Sequence, residues 1–321
     1  MPHSAAVELL FKTTAGVFSR PFLKEGVNLT ELSKEILKKF QVRKTKAQKT
    51  AFIEFIRAHF PEAKVEEGGF PDNRNIVIGD PDSAKLVFGA HYDTCARMPI
   101  PNFIMPKSIL ISLLYALVLI VPMVVVAGII LRVFNNLFLS LFVYWMMLYL
   151  IIAGPANKHT ANDNTSGVIT LVELMNAMTP EERAQSCFVF FDNEEKGLFG
   201  SAFFAKEHKE TMAEKLLINF DCVSDGDYLM LIQNKKAAEH SENLKTAFAE
   251  VKDKTVLIEN SKGTHYPSDQ KNFKNSIGVA AFNKSKLGLY LDKIHTPKDT
   301  VFDERNIEVL IKGFKTFLNL I

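Results

Sequence analysis

The chain has 321 residues, 38 Lys+Arg against 36 Asp+Glu for a formal net charge of +2, and 47% apolar residues. Near-neutrality excludes a general nucleic-acid binder, whose domain would be clearly basic, and the apolar share excludes a disordered chain. Three scattered cysteines (Cys95, Cys187, Cys222) form neither a disulfide framework nor a CxxC zinc site, and they point to a reducing compartment.

In chain order, MPHSAAVELLFKTTAG has Glu8 inside its only apolar run and no cleavage pattern, so no signal peptide is expected. Residues 30–60 read as helix. Leu32, Ile36 and Phe40 lie at helical spacing, and Ala51, Phe52, Phe55 and Ile56 mark a second stripe. Between them, Lys38, Lys39, Arg43, Lys44, Lys46 and Lys49 read as a solvated face or, more sharply, as a patch resting on anionic lipid. Residues 75–79 and 86–90 are short apolar runs bounded by Gly, Asp and Pro, as strands should be.

The composition then changes. Residues 108–131 are 24 positions without a charge, and after Arg132 the run 137–153 is uncharged again. Helices of about 20 apolar residues span a bilayer, with roughly 17 as the lower limit. The polar break 132–136 suits a tight turn, so 104–156 is expected to be a two-helix transmembrane hairpin in contact with the lipid bilayer. Tyr144, Trp145 and Tyr149 supply amphipathic rings. Arg97, Lys107 and Lys158 flank its two ends and only Arg132 lies at the tip, which puts the rest of a two-pass protein on the cytoplasmic side.

Beyond the hairpin, strands are expected at 187–191, 216–220, 227–232 and 277–282. Helices are expected along Val168, Leu171, Val172 and Met175, at 202–215 and at 306–320. Alternating strands and helices predict an α/β three-layer sandwich with a mostly parallel central sheet. The chain divides into a helical segment at 1–60, a catalytic domain at 61–103 and 157–321, and the inserted hairpin.

Chemistry collects at the predicted strand ends, where ligands gather in open α/β sheets. One strand ends in His91-Tyr92-Asp93, another in Asp192-Asn193-Glu194-Glu195, a third in Asp221. Asp163 precedes a helix and His295 lies in a late loop. Singly, these read as a core histidine, a helix cap or an acidic helix start. Together, one imidazole plus carboxylates for each of two ions suits a pair of zincs.

The blocks GAHYDT (89–94), ANDNTSGV (161–168), FVFFDNEEKGLFGS (188–201), INFDCV (218–223), YPSDQKNF (266–273), IGVAAF (277–282) and IHTPKDT (294–300) are in order. They resemble the two-zinc aminopeptidase family, which also includes glutamate carboxypeptidases, glutaminyl cyclases and the transferrin-receptor ectodomain. The resemblance implies two Zn2+ per chain. Asp163 would bridge them, Glu195 and His295 would complete one site, and His91 and Asp221 the other. Glu194 would be the general base and Asp93 would orient His91. Tyr266 or His265 would supply a transition-state donor. The 70 positions from Asp93 to Asp163 exceed the family's usual short loop, and the hairpin lies inside them, which sets the catalytic mouth beside the bilayer.

The expected function is therefore a membrane-anchored zinc exopeptidase acting on peptides, most simply an aminopeptidase, with its oligomeric state undetermined. A glutaminyl-cyclase-like acyltransferase would hold one zinc and not need His91. Carboxypeptidase or amidohydrolase chemistry is also compatible with the family. A receptor-like binding module would have lost ligands that this chain keeps. No ionisable residue lies inside either apolar run, which argues against transport or intramembrane cleavage.

Overall fold

Threonines start the first two helices of the computed structural model, which describes residues 29–321. The absence of a signal peptide, expected at the amino terminus, concerns positions outside the described residues. Thr30 caps α1 (Glu31–Lys39), and Thr45 forms a reciprocal capping box with Gln48 at the start of α2 (Lys46–His59). Ile36, Phe52, Ile53 and Ile56 bury the inner faces of both helices in the main core.

The basic run between these stripes is not one surface patch. Lys38, Lys39 and Lys46 are exposed. Arg43, in contrast, is fully buried, bonded to the carbonyls of Phe40 and Tyr92 and 3.1 Å from Thr165 Oγ1. Lys49 is also buried, paired with Asp192 and 2.8 Å from Asn193 Oδ1. A buried cation is tolerable only with such partners, and Tyr92 and Asn193 among them adjoin Asp93 and Glu194 in the chain.

Nine strands follow: β1 (Lys64–Gly68), β2 (Asn73–Ile78), β3 (Leu86–His91), β4 (Ser186–Phe191), β5 (Leu216–Phe220), β6 (Tyr228–Gln233), β7 (Thr255–Asn260), β8 (Ser276–Ser285) and β9 (Gly288–Tyr290). Their order is β1-β2-β4-β3-β5-β8-β6-β7, with β9 on β8. The sheet is mixed, which corrects the expectation of a mostly parallel one. The central β4-β3-β5-β8 pairings and β6-β7 are parallel, whereas β1-β2, β2-β4, β6-β8 and β8-β9 are antiparallel. The antiparallel pairs flank the centre because β2 and β6 enter from outside it.

After β3 the chain leaves the sheet as α3 (Ile109–Phe134), turns at Asn135 and Asn136, and returns as α4 (Leu137–Ala153). Asn135 adopts φ 45° and Asn136 caps α4 by accepting from Leu139 N, 3.0 Å away. Ser140 Oγ donates to Ala127 O across the pair at 2.7 Å. Among the described residues α3, 26 residues long with an 18-residue stretch of mean hydropathy 3.0, is the one helix long and apolar enough to cross a membrane; α4 has 17 residues. Both present their side chains outward, with Leu110 64%, Phe138 82% and Trp145 64% exposed. That is the reverse of a core helix pair.

The rest of the chain covers the sheet. Leu86, Phe88, Ala90, Phe190 and Phe220 face α1, α2, α5 (Gly167–Ala177) and α7 (Glu304–Leu320). Phe314 of α7 meets Phe220 edge-on at 5.3 Å. Val87, Val189, Phe191 and Leu217 point the other way, onto Phe204 of α6 (Phe199–Glu207), Met212 and Phe273. Helix, sheet and helix form three layers. The helix expected over 202–215 breaks at His208 into α6 and a short turn at Lys209–Met212.

Candidate active site

Six segments converge at the carboxyl ends of β3, β4 and β5: the loops that follow these strands, the turn at Ala161–Ser166, and the loops carrying Tyr266 and His295. His91 is the last residue of β3, and its ring is 1% exposed. Its Nε2 lies 3.5 Å from Asp163 Oδ1 and 3.5 Å from Asp221 Oδ1. Its Nδ1 faces the Asp93 backbone oxygen at 3.2 Å and the Asp93 carboxylate at 3.6 Å. That carboxylate is committed elsewhere, accepting from Glu194 N at 3.0 Å and Glu195 N at 3.3 Å. Asp93 thus ties the β3 loop to the β4 loop and sits directly behind His91.

Asp163 occupies the irregular turn Ala161–Ser166, pinned from three directions. The Asp299 carboxylate accepts the backbone N–H groups of Asn162 and Asp163 at 2.8 and 3.0 Å. Asn162 Oδ1 accepts from Ser224 N, and Asn164 Nδ2 donates to Phe220 O. Gly167 must be glycine, because a Cβ there would lie 2.4 Å from Phe220 O. Held in this way, Asp163 Oδ2 lies 3.1 Å from His295 Nε2 while Oδ1 faces His91. One carboxylate therefore addresses both imidazoles.

Glu194 and Glu195 follow Asn193, which takes φ 54° to turn the chain off β4. Glu195 Oε2 is 3.4 Å from His295 Nε2. His295, at φ 63°, sets its Nδ1 3.2 Å from Met98 Sδ. Tyr266 is buried, donating its hydroxyl to Asp221 O at 3.1 Å, and lines the cleft, whereas His265 does not. Of the expected residues, His91, Asp163, Glu194, Glu195, Asp221 and His295 line one cleft of about 230 Å³, and Asp93 lies behind it. Roomier cavities of about 420 and 450 Å³ elsewhere contain none of this chemistry.

The electrostatics are those of a site short of positive charge. Burial raises the Glu194 carboxyl well above the usual range; His91 opposes this, and Glu195, Asp269 and Asp221 add to it. Glu195 is raised by burial and by Asp163, against His91. Burial would also raise Asp163, but hydrogen bonding to His295 and His91 holds it low. Burial opposes charging His91, yet Glu194, Asp163, Asp221 and Asp93 outweigh it and raise its pKa. Asp269, buried nearby, is pushed up to about 7 by burial.

The residues fit metal. Glu195 Oε1 and Asp221 Oδ1 are buried without a hydrogen-bond donor. Ligand atoms of Asp163, Glu195 and His295 lie within 4.8 Å of one another, as do those of His91, Glu194 and Asp221. Atoms bound about 2.0–2.3 Å from a shared zinc ion are separated by such distances. The first group also includes the buried Cys95, which sequence reasoning did not place at the site. Asp299 was missed as well, although it lies inside the IHTPKDT block.

Residues 140–316, more than half of the chain, match the sequence model of peptidase family M28. The chain belongs to peptidase family M28. It is accordingly a zinc metallopeptidase, a hydrolase of peptides. No curated protein matches its sequence. Solved structures share its fold at low identity. An aminopeptidase of Legionella pneumophila is 14% identical over 97% of this chain and 78% of its own, with a TM-score of 0.53. A glutaminyl cyclase from an Acidobacteriales bacterium is 15% identical over 95% and 98%, at 0.57. A zinc-dependent exopeptidase from Parabacteroides distasonis is 15% identical over 91% and 97%, at 0.55.

Proposed function

We propose that this M28 member is a membrane-anchored, two-zinc aminopeptidase. The observation that carries the two-zinc reading is Asp163, with one oxygen toward His295 and the other toward His91. Asp163, Glu195 and His295 would hold one ion, and Asp163, His91 and Asp221 the other. Bound there, zinc supplies Lewis-acid activation of the attacking water and of the scissile carbonyl.

The protein's own groups do the rest. Glu194 accepts a proton from the attacking water and returns it to the leaving amine. Asp93 fixes the chain direction at both glutamates and backs His91. Tyr266, which lines the cleft as His265 does not, is the oxyanion donor, its O–H turning from Asp221 O to the developing oxyanion. The residues lining the cleft include no Lys or Arg to pair with a substrate α-carboxylate, which favours an amino-terminal over a carboxy-terminal substrate end. At about 230 Å³ the cleft is smaller than the roughly 300–1,000 Å³ of drug-sized sites, and it suits a chain end.

For the anchor, we divide the chain into the peptidase domain (61–103 and 157–321), the helices within 1–60 packed upon it, and the hairpin (104–156). The outward apolar faces of α3 and α4 support a two-pass hairpin. At about 26 Å, α4 is slightly short of a ~30 Å hydrocarbon core, a mismatch of modest cost. Arg97, Lys107 and Lys158 against Arg132 favour a cytoplasmic body.

Elemental analysis together with an aminoacyl-anilide panel tests the chemistry. About two zinc ions per chain and chelator-sensitive release are expected, whereas bound metal without release would redirect the reading to blocked-amine, C-terminal or amide substrates. For topology, Asn135→Cys should react with an impermeant maleimide only from the non-cytoplasmic side; the three native cysteines are buried. Labelling from the cytoplasm would overturn the orientation.

A further inference from the structure

The cleft and the hairpin share a wall. Between β3 and α3 the chain presents Asn102 and Ile104 to the cleft. The same strap is sewn to the loop that carries His295. Met98 N donates to His295 O at 2.9 Å, Asn102 N to Ile294 O at 3.2 Å, and Ile104 pairs with Leu291. Its other end is fixed to α3, with Met105 N donating to Ser112 Oγ at 3.1 Å and Phe103 packing 5.0 Å from Tyr115. Lys107 Nζ is anchored on Glu259 and Thr264. On the return side, Lys44 Nζ donates to Ile152 O at 2.8 Å.

This root leaves little slack. From Ile104 in the cleft wall to Ile109 at the start of α3 is five residues, at most about 18 Å even if extended. Apolar exposure begins at once, with Ile109 53%, Leu110 64% and Leu113 59% exposed. Arg97 and Lys158 stand exposed around the same root, where they would complement anionic headgroups.

We propose that the preferred substrate is presented by the bilayer itself: the short polar amino-terminal tail of a polypeptide whose next segment is embedded in the same membrane. This rests on the anchored-aminopeptidase reading above. A tail tethered in the same plane meets the cleft at an effective concentration near millimolar, and the rigid root keeps the cleft within its reach. A root stretched to its full ~18 Å would need a tail of about five or six extended residues to span it. Trimming should therefore stop when the tail becomes too short to reach the glutamates, so the root measures how much tail is left.

The test uses the full-length, zinc-loaded protein in vesicles containing anionic lipid, with flotation recorded first. The probes are synthetic peptides with tails of 3, 6, 12 or 24 polar residues ahead of an apolar 20-residue helix, and the 6-residue tail alone in solution. With peptide and enzyme in the same vesicles, kcat/KM for the 6- and 12-residue tails should exceed that of the free tail at least tenfold. The 3-residue tail should be inert, and the 24-residue tail slower than the 12. Placing peptide and enzyme in separate vesicles should abolish the advantage. A variant with 116–150 replaced by a Gly/Ser linker, which keeps Ser112, Tyr115 and Ile152 at the root, should cleave the free tail as before without preferring the tethered one. Equal kcat/KM for tethered and free tails, with the protein floating, would overturn the proposal and leave the anchor intact. Failure to float would overturn the anchor reading as well.

Discussion

The peptidase body and the hairpin are built from the same apolar residue types with opposite placement. Phe88, Phe188 and Phe220 are at most 1% exposed, whereas Leu110, Phe138 and Trp145 are mostly exposed. In the body, apolar runs of five or six residues end in charged loops, and the chain supplies its own cover for both faces of the sheet. In the hairpin, 24 residues pass without a charge and nothing in the described chain covers them. An apolar run states only that water is to be avoided; its length and punctuation indicate what replaces the water.

This contrast can be broken or sharpened experimentally. The largest effect belongs to the strand-end chemistry. Glu194→Gln should lower kcat by about 10²–10⁴-fold while zinc content is retained; near-normal turnover would remove Glu194 as the base. Next comes the buried ion pair beneath it. Lys49→Met leaves Asp192 buried without its cation and should destabilise the body by about 3–5 kcal/mol in urea unfolding, with Lys49→Arg recovering part of the loss. A loss under 1 kcal/mol would mean that Asp192 finds another partner.

A smaller effect concerns protons. His91, Glu194 and Glu195 all have raised pKa values in the metal-free fold, so the folded state binds more protons than the unfolded one. The His91 contribution is fully present below its ordinary value of 6.5 and is lost as pH rises through the folded value. The glutamate contributions fade over a range that begins lower, above 4.5. Asp163 works in the opposite sense, its contribution being lost as pH falls below 3.8. The Tm of the metal-free protein should thus fall as pH rises from 6.5 to 9, and zinc should flatten the curve; a Tm that rises over that range contradicts the site's excess of carboxylates. The smallest effect is expected from the hairpin. Replacing 109–153 with a short linker should shift the body's Tm by no more than about 3 °C, and unfolding of the body would show that the two regions are energetically one.

The strands that carry the site were legible because each is a buried run ended by a charged residue, as in β3 before His91. Residues whose role depends on distant partners were not. Lys49 reaches Asp192 across 143 positions, and Asp299 reaches Asp163 across 136. A signal for Lys49 did exist: with Phe52, Ile53 and Ile56 it falls at i, i+3, i+4 and i+7 on the inner face of α2, where a solvated lysine has no place. Strands β1, β7 and β9 were unread: KVEEG is polar, TVLIEN is a half-exposed edge with only three consecutive apolar residues, and GLY is too short for a pattern. Cys95 lies one residue past the GAHYDT block, and no spacing rule carried it to the site.

The positions that converge on the cleft are also far apart in the order of synthesis. His91 precedes His295 by 204 positions, and Arg43 and Lys49 come earlier still. At about 5–20 residues per second a ribosome needs roughly 10–40 s to travel from one histidine to the other. Once residue 153 is made, the nascent chain has Arg43, Lys49, its first imidazole and its complete hairpin, but it still lacks Asp163, Glu194, Glu195, Asp221 and His295. On the ligand set proposed above, hydrolytic competence would arrive only with the loop that carries His295.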